Sequence, residues 1–270
     1  NGGPARSAKP TLFLSPGAPA TAVADTQAAA FLRRLAADLP VPCAILVASA
    51  HFERDGRVGV TSDAAPETIH DFGNFDPRLF QMRYPAPGDP ELAQRIVSLL
   101  AEAGFDAEAV AGRGFDHGTW VPLLLAYPGA DIPVVQVSVD PTRDAAYHLD
   151  LGGALSDLRG EGVLVIGSGS FTHNLPEAFD RIRQGIRVDA TPDWVTQFVD
   201  WMGDRLVAGD RAALADYRRR APFAEKNHPT DEHLMPLHVA LGAAGSGAKG
   251  EWLHASRDFG VLSMDAFAFR

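Results

Sequence analysis

Residues 43–53, CAILVASAHFE, are the stretch of sequence that decides the fold. The apolar run over residues 43–50 predicts a strand buried on both faces, as in a parallel sheet covered by helices. Small residues end the run, and His51 follows them. In an open α/β sheet, ligands bind in the crevice beyond the carboxyl ends of the strands. We therefore expect His51 to lie where a functional site forms, although a lone histidine in this position more often only packs at a strand end.

The composition is typical of a soluble globular protein with a sizeable core. Of the 270 residues, 46% are hydrophobic, and 34 acidic residues outnumber 24 basic ones to give a net charge of −10. This charge argues against a nucleic-acid partner, which requires clustered Lys and Arg, and gives no support for binding to an anionic membrane surface. The strongly apolar stretches are strand-length, far shorter than a membrane span.

The single cysteine and the first residues bear on location. One cysteine, Cys43, cannot form an internal disulfide, which fits a reducing cytoplasm. Because Cys43 begins the apolar run, we expect it in the core. Residues 1–10, NGGPARSAKP, are polar and rich in Gly and Pro, and they lack the apolar segment of a signal peptide. They predict a flexible tail.

Buried strands and helices alternate along the rest of the chain. Apolar runs predict strands over residues 11–14, 44–50, 58–61, 132–139, 162–168 and 261–269. Helical periodicity covers residues 21–39, 90–104, 121–127, 144–158, 192–207 and 230–244. No linker-like stretch interrupts the series. The pattern therefore predicts one α/β domain over residues 11–270, a three-layer structure whose central, mostly buried mixed sheet is flanked by helices.

A long loop over residues 66–90, PETIHDFGNFDPRLFQMRYPAPGDP, breaks this alternation. Loops of this length without regular structure are usually functional. Its aromatic residues could wall a pocket for a planar substrate, and they could equally form a small core beneath the loop. These residues are Phe72, Phe75, Phe80 and Tyr84.

Four histidines stand in positions typical of a metal or acid/base centre. His51 and His173 follow strands, His117 lies in a polar loop, and His233 begins a helix after a polar turn. Three others, at positions 148, 238 and 254, fall in or beside regular elements and are expected to be surface or hydrogen-bonded side chains. A serine hydrolase is a weaker alternative, because residues 167–170, GSGS, are one residue off the GxSxG pattern.

Several separate motifs carry a resemblance to a known family. They are SAHFE around His51, IHDFGNF and RYPAPGDP in the long loop, DHGTWVPL, IGSGSFTHN, HPTDEH and the terminal LSMDAFAF. In this order they resemble the 4,5-DOPA-type extradiol ring-opening dioxygenases of the LigB superfamily, over nearly all of residues 11–270. The resemblance implies a single α/β domain with a non-haem Fe(II) or Zn(II), which opens catechol-type rings with O₂.

The resemblance also implies roles for particular residues. His51 and His233 would be metal ligands. His173 would be the acid/base residue, and His117 beside it would bind substrate or oxygen. His70 and Phe72 in the long loop are expected near the pocket entrance, as substrate-binding residues.

One departure from the family concerns the metal. The family's first strand ends in a motif like SHGSP, whose histidine is the third ligand, but here residues 15–19 are SPGAP and Pro16 stands at that place. Proline offers no lone pair to a metal. We therefore expect weak metal binding, with His117, His173 or the substrate completing the site. The alternative is a divergent member that binds an aromatic ligand or performs metal-independent acid/base chemistry through His117 and His173.

Overall fold

A computed structural model describes residues 9–186 and 191–270. Most of the predicted tail, residues 1–8, therefore lies outside the described residues. Lys9, at the end of that tail, is anchored: its carbonyl accepts a hydrogen bond from Arg159 Nε (2.5 Å), and its ammonium donates to the carbonyl of Pro40 (3.2 Å).

The described residues form alternating strands and helices. The strands are β1 (Thr11–Leu14), β2 (Ala44–Glu53), β3 (Val58–Thr61), β4 (Ala107–Val110), β5 (Val134–Val139), β6 (Val163–Ser168), β7 (Gly250–His254), β8 (Arg257–Asp258), β9 (Leu262–Ser263) and β10 (Ala266–Phe269). The helices are α1 (Gln27–Leu35), α2 (Pro90–Glu102), α3 (His117–Ala126), α4 (Ala145–Gly153), α5 (Leu175–Arg183), α6 (Asp193–Ala208), α7 (Arg211–Ala215), α8 (Tyr217–Arg220), α9 (Ala224–Asn227) and α10 (Met235–Ala243).

An eight-stranded mixed sheet in the order β4-β3-β5-β2-β6-β1-β10-β7 runs through the centre of the molecule. Its four middle strands, β5, β2, β6 and β1, are parallel to one another. Antiparallel pairs join this group to β3 on one side and to β10 on the other. The carboxyl ends of the four middle strands therefore meet at one edge of the sheet.

Helices cover both faces of the sheet, and the stretch that decides the fold shows why. Successive side chains of a strand point to opposite faces. Ile45 and Val47 pack with α1 and α3 on one face, whereas Leu46 and Ala48 pack with α2, α4 and α10 on the other. All four side chains are buried. The predicted three-layer α/β architecture with a mostly buried mixed sheet is confirmed.

Three local predictions were wrong. Cys43 is exposed, because the strand begins only at Ala44 and the thiol lies before it. His117 does not lie in a loop: Asp116 caps α3 by accepting from the amide of Thr119, so the helix begins at His117. His233 does not lie in the first turn of a helix, since α10 begins at Met235, after a turn.

Two edge strands, β4 and β7, were not predicted at all. Both are short and at most partly buried, with mixed polar and apolar residues. In the residues that the structure describes, the helices are too short or too polar to cross a lipid bilayer.

Candidate metal centre and active site

The site lies at the carboxyl edge of the parallel strands. Leu14 at the end of β1 is in register with Ser168 at the end of β6, and Ser168 is in register with Ser49 of β2. The residues that follow these positions therefore lie side by side at this edge of the sheet. They include Pro16 and His51, in the crevice where ligands of α/β proteins bind.

The four predicted site histidines come together at this edge. The rings of His51 and His117 are 3.9 Å apart between centroids, and those of His51 and His233 are 5.0 Å apart in an edge-on arrangement. His173 stacks on His233 with centroids 3.5 Å apart. Residues from four separate segments thus form one continuous cluster, in which His51 contacts two of the others.

A cavity of about 440 Å³ opens over the cluster. All four histidines line it, and so does Pro16, as expected from its place in the sequence. The other lining residues are mainly either apolar or small: Gly17, Ala18, Pro19, Ala20, Phe72, Phe75, Gly118, Ser168, Gly169, Ser170, Leu175, Phe179, Ile182 and Phe259.

The aromatic residues of the long loop have divided roles. Phe72 and Phe75 line the cavity. Tyr84 is fully buried in the core, and Phe80 is 40% exposed. Both alternatives from the sequence therefore apply, each to a different part of the loop.

His70 lies behind the cavity wall. Its ring packs against Phe72 with centroids 5.8 Å apart, and its Nε2 lies 3.1 Å from the carbonyl oxygen of Met82. The lining of the cavity includes Phe72 but does not include His70. Of the two residues expected at the entrance, only Phe72 lines the cavity.

Asp71, next to His70, is a site residue that sequence reasoning missed. Its Oδ2 lies 2.9 Å from Nδ1 of His117, and its Oδ1 accepts from the His117 backbone amide at 2.9 Å. Burial would raise the pKa of Asp71, but these hydrogen bonds and the nearby imidazole lower it overall. The ionised carboxylate fixes the proton of His117 on Nδ1 and leaves Nε2 with a free lone pair.

Glu232, which sequence reasoning also missed, fixes the proton of His233 on Nδ1 in the same way. Its Oε1 lies 3.0 Å from Nδ1 of His233 and accepts from the Thr230 hydroxyl at 3.0 Å. Burial opposes ionisation, but hydrogen bonds, foremost that from His233, lower the pKa of Glu232 to about 2. A carboxylate behind a histidine in this way orients a metal-ligating imidazole and increases its basicity.

His51 and His173 have no such carboxylate. Among the described residues, no side-chain hydrogen bond reaches either ring. Burial first, and then the neighbouring imidazoles, lower the pKa of His51 to about 3 and that of His173 to about 2. Both rings are therefore neutral at pH 7, with lone pairs available to a metal or to a substrate proton.

A buried polar network holds His51 in place. Asp116, which is fully buried, accepts from the Ser49 hydroxyl (2.7 Å) and from Arg113 (3.1 Å), and Arg113 also donates to the His51 carbonyl (3.0 Å).

The Ser168 hydroxyl donates to the backbone carbonyl of Gly118 at 2.5 Å. Since this hydroxyl is buried and already bonded, the serine-hydrolase alternative has no support.

Glycine at position 169 allows the His233 turn to close against the sheet. A Cβ at Gly169 would lie 2.1 Å from the carbonyl oxygen of His233, a distance that no side chain tolerates. The neighbouring amide of Ser170 donates to the same carbonyl at 2.8 Å. The close backbone approach at this glycine is what brings His233 over the strand ends.

Two groups of side chains could hold a metal ion, each with its ligand atoms within 4.8 Å of one another. They are His51, Asp71 and His117, and His173, Glu232 and His233. His51 belongs to the first group and also contacts His233 of the second, so the cluster is continuous. Imidazole and carboxylate donors suit Fe(II) and Zn(II), and the residues present therefore fit such a metal even though Pro16 contributes no ligand. Fold and site together define a metalloenzyme with its centre at the carboxyl edge of an α/β sheet.

Comparisons with known proteins agree with this class. Residues 10–269 match the family model described as the catalytic LigB subunit of aromatic ring-opening dioxygenase. The 4,5-DOPA dioxygenase extradiol of Beta vulgaris is 42% identical over 268 residues, which cover 97% of this chain and 96% of that protein. The 4,5-DOPA dioxygenase extradiol of Escherichia coli (strain K12) is 40% identical over 238 residues, covering 87% and 84%. A crystal structure of an uncharacterized protein from Escherichia coli K12 superposes with a TM-score of 0.77 at 33% identity, covering 96% of this chain and 99% of that one.

The chain belongs to the LigB family of aromatic ring-opening dioxygenases. It is a metal-dependent extradiol dioxygenase that acts on an aromatic substrate with O₂, which confirms the reaction class implied by its motifs.

Proposed function

We propose that the protein opens the ring of a catechol-type substrate at an Fe(II) or Zn(II) ion held between His51 and His233. The observation that carries the proposal is the convergence of four histidines on one cavity at the carboxyl edge of the sheet. The relatives named for 4,5-DOPA support the catechol class, because DOPA is a catechol. With Pro16 at the place of a family ligand, we expect the ion to be bound more weakly than by three histidines.

The proposed ligands differ in how they are supported. His233 is backed by Glu232, which holds its Nδ1 proton and leaves Nε2 for the ion. His51 is neutral because burial lowers its pKa to about 3. The substrate itself would complete the site, because His173 and His117 are assigned to proton transfer and to contact with the substrate or oxygen. When bound, the ion would withdraw charge from the phenolic oxygens of the substrate and lower their pKa.

We assign the proton transfers to His173, with His117 beside the substrate or oxygen. His173 lines the cavity and has a neutral ring that can accept a proton. Burial and the neighbouring imidazoles lower the pKa of His173 to about 2, so the ring is neutral before a substrate binds. Asp71 keeps His117 in one tautomer, so that its Nε2 can accept a hydrogen bond in the cavity.

Three single variants test these assignments. Zn(II) binding is measured by calorimetry, and ring opening of the Fe(II)-loaded protein by the near-ultraviolet and visible absorbance of the product. His51→Ala should abolish both. His173→Ala should retain the metal and lower kcat by about 10²–10⁴-fold, the usual contribution of an acid/base residue. His254→Ala is the control, since this ring stacks on Phe31 outside the cavity. Unchanged Zn(II) binding in His51→Ala would contradict the proposed metal site.

We also propose a cytoplasmic location and a small-molecule substrate as the binding partner. One cysteine excludes an internal disulfide, and the net charge of −10 disfavours nucleic acid and anionic membranes. Fractionation of cells that express the protein would test the location.

A further inference from the structure

Helix α5 presents an apolar face to the mouth of the cavity. Leu175, Phe179 and Ile182 are spaced four and three residues apart, so they share one face of the helix. All three line the cavity, yet they are 37%, 53% and 44% exposed. The helix begins two residues after His173, and its apolar face therefore continues the active site outward from that histidine.

Aromatic side chains also line the cavity. Phe72 and Phe75 from the long loop line it, and so does Phe259. Phe259 has a backbone φ of 54°, a left-handed conformation that is rare for a bulky side chain. Strained residues of this kind persist where the surrounding structure fixes them, often at ligand sites. The described lining beyond the histidines is thus rich in apolar side chains.

No charged side chain lines the cavity among the residues that the structure describes. Arg181 is the first cation of α5 after Phe179. It already donates hydrogen bonds to the Phe259 carbonyl (3.3 Å) and to Glu177 (3.5 Å). The carboxylates nearest the histidines, Asp71 and Glu232, increase the negative charge around the site. A substrate carboxylate at the mouth would lose water without gaining a counter-ion from the described residues, which is unfavourable.

We propose that the substrate is a catechol with an uncharged apolar substituent, which lies against Leu175, Phe179 and Ile182. This inference rests on the proposed catechol chemistry and adds the substituent class to it. An amino-acid or carboxylate side chain on the ring is the poorer fit, because the described part of the mouth supplies apolar surface and no ion partner.

A matched series of ring substituents tests the proposal. The compounds are 4-methylcatechol, 4-ethylcatechol, 4-butylcatechol, 3,4-dihydroxyphenylpropionate and L-DOPA. We expect kcat/KM to rise by up to about fourfold for each added methylene that reaches the apolar face. The butyl compound should exceed the propionate, which has a chain of similar length, by at least about tenfold. Equal or faster turnover of the propionate or of L-DOPA would overturn the inference.

Binding to the Zn(II)-loaded protein, measured by calorimetry, separates this inference from the proposed reaction. If no catechol is cleaved but the alkyl catechols bind more tightly than the charged ones, the substituent class stands and the catechol-opening proposal fails. If charged catechols bind more tightly, the substituent class fails, whatever the turnover. If no compound binds, both fail.

A charge-insertion variant locates the preference on α5. Phe179→Arg should lower the ratio of butyl to propionate kcat/KM by about tenfold or more, because it supplies the missing cation. Ile182→Arg, one turn further along the same face, is a second variant in case the first does not fold. Val207→Arg is the matched control: this valine is 48% exposed on α6 and does not line the cavity. An unchanged ratio in both α5 variants, or an equal change in Val207→Arg, would contradict the assignment.

Discussion

Replacing Glu232 by glutamine should weaken metal binding without disturbing the fold. The carboxylate is only 17% exposed and the imidazole of His233 12% exposed, and the two are 3.0 Å apart between Oε1 and Nδ1. Glutamine has the same shape, and its amide oxygen can still accept the Nδ1 proton. The variant therefore removes the charge of the acceptor and leaves the geometry in place.

The size of the effect follows from this one hydrogen bond. A hydrogen bond to a charged group contributes about 1.5–3 kcal/mol, and one between neutral groups about 0.5–1.5 kcal/mol. The midpoints of these ranges differ by about 1.25 kcal/mol, which corresponds to a loss of affinity of roughly eightfold to tenfold. It lies at the lower end of the roughly 10–100-fold effects seen when the group behind a metal-ligating histidine is changed.

Competition with a chromophoric zinc chelator at pH 7 measures the affinity directly. We expect the Kd for Zn(II) to rise about tenfold in Glu232→Gln and to stay within about twofold in Asp71→Asn. The latter should instead lower kcat, because Asp71 orients His117, which we place beside the substrate. Glu225→Gln, an exposed glutamate on α9, is the control for loss of a nearby negative charge.

The opposite pattern would refute this assignment. If Asp71→Asn weakens Zn(II) binding and Glu232→Gln does not, the ion is held by His51, Asp71 and His117. If neither variant differs from Glu225→Gln, the carboxylates do not support a metal ligand at all.

Three further outcomes are expected. Pro16→His should tighten Zn(II) binding about tenfold or more, measured by equilibrium dialysis, because a strand-end imidazole would complete a set with His51; an unchanged affinity would mean that another residue already supplies the third ligand. Gly169→Ala should lower both Tm and Zn(II) affinity, since its Cβ would lie 2.1 Å from the His233 carbonyl oxygen; an unchanged melting curve would contradict the close approach. Burial lowers the pKa of His238 from 6.5 to about 4, so the unfolded chain binds the extra proton between these values. The free energy of unfolding of the metal-free protein should therefore fall through this group by about 2 kcal/mol from pH 7 to pH 5. Urea titrations at both pH values measure the fall, which should be smaller in His238→Asn; an equal fall would assign it elsewhere.

The strands that carry the site could be predicted because the apolar run that marks each of them is local in the sequence. The apolar runs before His51 and before residues 167–170 end in small residues, and the edge of a parallel sheet then brings distant strand ends together. The position of Pro16 on the cavity wall follows from the same reasoning. Edge strands such as β4 lack this signal, since a half-exposed strand of four mixed residues does not differ from a loop in its pattern.

The carboxylates could not be predicted in the same way. Asp71 and Glu232 each stand beside a histidine in the sequence, but Asp71 contacts His117 rather than His70. Which ring a loop carboxylate meets depends on tertiary packing, and no periodicity encodes it. The placement of His70 behind Phe72 has the same origin, because the direction of a loop side chain is set by the surfaces that it packs against.

The wide separation of the four histidines along the chain has a consequence for folding. Contacts between parallel strands join residues far apart in sequence, and such contacts form late because long loops must close first. The unfolded chain therefore presents no assembled site to a metal, which would bind the native state and stabilise it. Saturating Zn(II) should then slow unfolding and leave the refolding rate nearly unchanged, as expected for interactions absent from the transition state. The ion would determine how long the folded molecule lasts and not how fast it forms.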